Sequence, residues 1–122
     1  MSPKEILKCW NEHFNNANLQ GILNLYDPSS ILIPTFSSEI LSDKRQIKVY
    51  FVNLIEEQKG TVEIQSNSIF EQIVEGNLFM LCGNYIFKLK RKKKIPARFT
   101  FLINPLTVNP IKHHHSSKII NN

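Results

Sequence analysis

The sequence predicts an α+β fold in which N-terminal helices pack on one face of a curved, mainly antiparallel sheet. Two observations carry that prediction. Apolar residues recur at three- and four-residue spacings in segments before Gly60, whereas long strand-like runs fill most of the chain after it. Clusters of Gly, Pro, Asn and Asp separate these segments, as turn residues do.

The first helix starts at Ser2-Pro3, an N-cap followed by proline at the first helical position, with Glu5 placed to complete a capping box. Ile6, Leu7, Trp10, Phe14 and Ala17 share one face. Asn15, Asn16 and Asn18 interrupt the pattern, which resumes from Leu19 to Tyr26 with Ile22, Leu23 and Tyr26 turned inward. Asp27-Pro28-Ser29-Ser30 ends this second helix, and Ile31-Leu32-Ile33 then forms a short buried strand. After a Pro34–Ser38 loop, Asp43 caps a third helix that packs Ile47, Tyr50, Phe51, Leu54 and Ile55 inward until Gly60 releases the chain. Strands are expected over Thr61–Ile73 and Asn77–Leu89, joined by the hairpin signal Val74-Glu75-Gly76. A second pair, Ile95–Asn104 and Ile111–Ile119, flanks a loop holding Pro105 and Pro110.

At 122 residues the chain has the length of one domain, residues 1–122, and its 42% hydrophobic and 20% charged content excludes disorder. No apolar run reaches the roughly 18–20 uncharged residues of a membrane helix, and the N-terminus lacks a secretion signal, so the expected location is cytoplasmic. Cys9 and Cys82 lie among apolar neighbours with no zinc-type spacing and read as free thiols. The net charge of +5 is concentrated between Lys88 and Lys94, where six of seven residues are basic. Between two strands, that run reads as a solvated hairpin tip that deters edge pairing. The competing reading is electrostatic binding to nucleic acid or an anionic membrane; the run lacks aromatic residues for base stacking, and neither specific nucleic acid nor membrane is an expected partner.

Several motifs in order carry a resemblance: Leu25-Tyr26, Leu32-Ile33-Pro34-Thr35-Phe36-Ser37, Tyr50-Phe51, Gly83-Asn84-Tyr85-Ile86-Phe87, Ala97-Arg98-Phe99-Thr100-Phe101 and His114-His115-Ser116-Ser117. Together they resemble the nuclear transport factor 2-like superfamily, and within it bacterial proteins related to the association domain of calcium/calmodulin-dependent protein kinase II. The resemblance implies a cone-shaped sheet around a pocket, and a homodimer or higher homo-oligomer formed through the opposite side of the sheet. It matches Arg98 to a buried pocket arginine. The other pocket arginines are not matched: Ser116 stands at one position, and no basic residue lies beside Ile86. Leu106-Thr107-Val108-Asn109-Pro110 also replaces the family's Gly-Trp turn, and Ala17-Asn18 its small acidic turn.

Alternation puts Arg98, Thr100 and Leu102 on one side of their strand and Ala97, Phe99, Phe101 and Ile103 on the other. A buried Arg98 requires either internal hydrogen bonds or an anionic ligand, to which a guanidinium offers forked donors. The expected ligand-binding residues are Arg98, His114, Ser116 and Tyr26, holding a small polar or anionic molecule. Tyr26 and Tyr50 read more readily as core aromatics than as pocket-rim hydroxyls, and Ser37 and Ser38 as turn and cap residues rather than nucleophiles. On a strand His113 and His115 face opposite to His114, so the run does not by itself make a metal site, and His13 is unsupported as a further ligand. No metal or cofactor is expected. The leading expectation is a ligand-binding or homo-oligomerisation domain without catalysis. The alternatives are an isomerase or cyclase-like enzyme with His114 as base and Arg98 stabilising an oxyanion, and a stand-alone assembly module of the kinase-hub type.

Overall fold

The computed structural model describes residues 1–91 and 93–120. Lys92, part of the basic run, lies outside them. Helix α1 spans Pro3–Asn15, α2 Leu19–Leu25 and α3 Lys44–Phe51, the last continuing as a π-helical turn over Val52–Glu57. The strands are β1 Tyr26–Ile33, β2 Thr61–Ile64, β3 Phe70–Glu75, β4 Leu78–Lys88, β5 Lys94–Ile103 and β6 Ile111–Lys118. They form one mixed sheet in the order β1-β6-β5-β4-β2, with β3 pairing the other half of the β4 edge. Among the described residues only β1 and β6 run parallel.

Helix starts follow the capping rules. Ser2 and Glu5 make the full capping box, Asn18 caps α2 through the Gly21 amide, and Asp43 caps α3 through the Gln46 amide. Helix α1 buries Ile6, Leu7, Trp10 and Phe14 against the sheet. Its polar side also contributes: the Asn15 amide accepts from the Val62 N–H and donates to the Val62 carbonyl, and Asn11 donates to the same carbonyl. These side chains occupy backbone groups that an edge strand would leave unpaired.

Two boundaries differ from the sequence expectation. Helix α2 stops at Leu25, and Tyr26 opens β1, since Tyr26 pairs with Ile111. The next pair is Ile31 with His113, so residues 27–30 bulge out of the ladder. Pro28, which has no N–H to donate, falls in that bulge, where no ladder bond is lost. The Ser30 hydroxyl secures the bulge by donating to the Ile111 carbonyl, and Asp27 pairs with Lys112 at 2.8 Å.

The expected strand Thr61–Ile73 is broken into β2 and β3 by a 3-10 turn over Ser66–Ser68. Ser68 makes the break: its hydroxyl donates to the Gln65 carbonyl and accepts from the Asn84 N–H, taking a ladder position with a side chain. Gly83 allows the approach, because a Cβ there would lie 3.0 Å from Ser68 Oγ and 3.1 Å from Phe99 Cζ. The bend lets β2 and β3 share one edge of β4.

Candidate functional site

Strand alternation divides the sheet into two faces, and the site residues separate accordingly. Leu81, Tyr85 and Phe87 of β4, Ala97, Phe99, Phe101 and Ile103 of β5, and His114 and Ser116 of β6 face the helices and are buried. The residues that alternate with them along the same strands, Met80, Cys82, Asn84, Arg98, Thr100, Leu102, His113, His115 and Ser117, face outward, and none of them is buried.

Three of the four expected ligand-binding residues therefore meet inside the cone. Tyr26 O–H lies 2.8 Å from His114 Nδ1, and Tyr85 Oη lies 3.1 Å from His114 Nε2 and 2.5 Å from Ser116 Oγ. Trp10 Nε1 donates to the Tyr26 oxygen at 3.1 Å, and Ser116 Oγ also bonds the Thr35 hydroxyl. Proton bookkeeping assigns a direction to this chain. An indole N–H can only donate, which leaves the Tyr26 proton for His114 Nδ1. The imidazole then carries its proton on Nε2 and donates to Tyr85, whose own proton goes to Ser116. With the Ser116 proton passed to Thr35, every group from Trp10 to Thr35 donates in the same sense.

The surroundings keep His114 neutral. Its ring stacks on Phe101 with centroids 3.9 Å apart and meets the edge of Trp10 at 5.6 Å. Burial first, and then the neighbouring His113 and His115, push its pKa well below the ordinary histidine value. Burial likewise raises Tyr26 and Tyr85 well above the usual phenol range. Among the described residues no buried side-chain polar atom lacks a partner. Between Trp10, Phe51, Tyr85 and His114 the cone retains a cavity of about 10 Å³, near the lower limit for a single water molecule.

Arg98 is not in this group. The expectation of a buried pocket arginine is corrected: Arg98 is exposed on the outer face, because its buried neighbours Ala97 and Phe99 take the inward positions. Alternation separates the two sets of residues, and the Arg98 side is the outer one. Arg98 and His114 thus lie on opposite faces and do not act on one substrate inside the cone. The histidine run also divides as alternation requires. His113 bonds the Ile31 carbonyl on the outer face, His115 is exposed, and His13 is engaged by Asn18 on the helix side.

Tyr85, Trp10 and Thr35 are the members of the network that sequence reasoning missed. Tyr85 carried an available signal: it shares strand parity with Leu81 and Phe87, so its phenol had to point into the core and find a partner.

On the outer face, Asn84, Arg98 and Ser117 form one row across β4, β5 and β6, and Cys82, Thr100 and His115 the next. With Phe70 and Ser68 at one side, they line an open trough of about 480 Å³. Phe70 is 74% exposed.

No protein-family model and no curated protein matches the sequence. Solved structures do. A Xanthomonas campestris protein assigned as a calcium/calmodulin-dependent protein kinase II association domain shares 27% identity over 95% of this chain and 84% of its own, with a TM-score of 0.81. A nuclear transport factor 2-like protein of unknown function from Shewanella oneidensis matches at 18% identity over 93% of each chain, with a TM-score of 0.74. A Sinorhizobium meliloti protein assigned as a polyketide cyclase matches at 10% identity over 93% of this chain and 94% of its own, with a TM-score of 0.66. The helices packed on a curved mixed sheet, together with these likenesses, give the chain the nuclear transport factor 2-like fold, similar to that of the protein assigned as a calcium/calmodulin-dependent protein kinase II association domain.

Proposed function

We propose that this chain is a homo-oligomerisation module of the cone fold that performs no catalysis within the cone. The observation that carries the reading is the uncovered outer face of the sheet. No outward-facing residue of β4 or β5 is buried, and Phe70 of β3, which pairs with the outward Cys82, is more than half exposed. A sheet with one face packed on helices and the other bearing Phe70, Met80, Cys82 and Leu102 has the composition of a surface that gains from being covered. An isologous dimer uses the same patch on both copies, so one exposed face suffices.

The filled interior supports the same reading. A cavity of about 10 Å³ falls far below the roughly 300 Å³ at which ligand pockets begin. The neutral His114 has both ring nitrogens committed to tyrosines, which leaves neither free to take a proton from a substrate. The free thiols Cys9 and Cys82 fit a reducing, cytoplasmic location, and no helix among the described residues is long and apolar enough to cross a membrane.

Sedimentation velocity over a concentration series tests the proposal. Wild type is expected as a dimer or larger homo-oligomer, and Phe70→Asp shifts it towards monomer while circular dichroism is unchanged. A wild type that stays monomeric at high concentration overturns the reading.

A further inference from the structure

The outer face poses an electrostatic problem that the proposed assembly has to solve. Arg98 sits at the centre of the trough, between Asn84 and Ser117 across the strands, and none of the residues lining the trough is an aspartate or glutamate. The outward carboxylate of Glu63 lies opposite Ile86, outside the trough, and accepts from Gln65. Among the described residues the ion pair found is Lys112 with Asp27, so Arg98 has no acidic partner. In the monomer water solvates the guanidinium. An isologous interface whose two-fold axis passes through the trough removes that water from two copies of Arg98 at once and sets trough against trough, which brings no carboxylate in exchange.

We infer that the trough is an oxyanion site completed by the second copy, in which the Arg98 guanidinium holds a small multivalent anion of the phosphate type. The chemistry is local. A guanidinium presents paired N–H donors that match two oxygens of such an anion. The Ser117 and Thr100 hydroxyls and the Asn84 amide flank it as neutral donors, and Phe70 closes one side of the trough. At about 480 Å³ the trough is far larger than the closed cavity of the cone and has room for an anion with bound water. The inference rests on the assembly proposed above, because an open surface arginine binds such ions weakly and desolvation supplies the affinity.

The test compares dimer dissociation constants in inorganic phosphate and in chloride at equal ionic strength, for wild type and Arg98→Gln, with melting temperature recorded in parallel. Expected is a dimer tightened about tenfold or more by phosphate in wild type, and a dimer in Arg98→Gln that forms equally well in either buffer. The variant removes an exposed charge and keeps polar donors, so its fold is retained, and it subtracts the general salting effect of phosphate. A wild-type dimer indifferent to phosphate overturns the anion site and leaves the assembly reading intact. A monomer in both buffers whose melting temperature rises with phosphate only when Arg98 is present overturns the assembly and the completion of the site by a second copy. A monomer with no Arg98-dependent response overturns both.

Discussion

His114 and His115 are adjacent in the chain and identical in chemistry, yet one is 3% exposed with both ring nitrogens bonded to tyrosines, and the other stands on the open face of the sheet. Ser116 and Ser117 repeat the contrast one step later. The inner serine joins Tyr85 and Thr35, whereas the outer one lines the trough beside Arg98. The difference shows what each face is built for. Inside, His114 and Ser116 are held as members of a fully satisfied network within an aromatic core. Outside, polar and apolar residues share a surface that nothing in the protomer covers.

The contrast is broken most severely at Trp10, which supplies both the largest buried side chain and the first donor of the network. Trp10→Ala is expected to cost about 3–5 kcal/mol in chemical denaturation, and a loss below about 1 kcal/mol would mean that the interior is not packed as described. A smaller effect belongs to Tyr85→Phe, which removes one hydroxyl and leaves His114 Nε2–H and Ser116 without a common partner. That loss is expected at about 1–3 kcal/mol, against little change for the outer-face control Ser117→Ala.

The pH dependence sharpens the same comparison. The folded His114 has a pKa below its unfolded value, so below about pH 6.5 the unfolded chain binds a proton that the folded one refuses. Stability contributed by the neutral form is full above that pH and falls as the solution is acidified, by at most about 1.4 kcal/mol per pH unit for one proton. His114→Gln is expected to flatten that limb in pH-dependent melts, and His115→Gln to leave it. An acid limb unchanged in His114→Gln would assign it to other groups. The smallest effect is expected for Arg98→Gln in chloride buffer at a protein concentration that keeps both proteins monomeric, within about 0.5 kcal/mol of wild type, as for an exposed side chain with no ion pair.

Much of the fold was legible because its signals are local. The capping residues Ser2, Asn18 and Asp43, the apolar face of α1, and the alternation of β5 each depend on spacing within a few residues. Tyr26 was assigned to a helix because its spacing from Ile22 and Leu23 fits one, but pairing with Ile111, 85 positions away, outweighs that preference. The break at Ser68 was equally hidden, since it depends on a hydroxyl meeting the Asn84 amide across the sheet. Of the site, Tyr26, His114 and Ser116 were recognised, while Trp10, Tyr85 and Thr35 were not, because their partners lie on other elements.

The sequence by itself determined the α+β class, the segregation of helices from strands, and the division of β5 and β6 into two sets of side chains, because periodicity and capping are short-range properties. Which set faces the helices was decided only by the tertiary structure. A period of two has no sign: it states that Arg98 and Phe99 point apart, and only the apolar helices docking on the Phe99 side direct Arg98 outward.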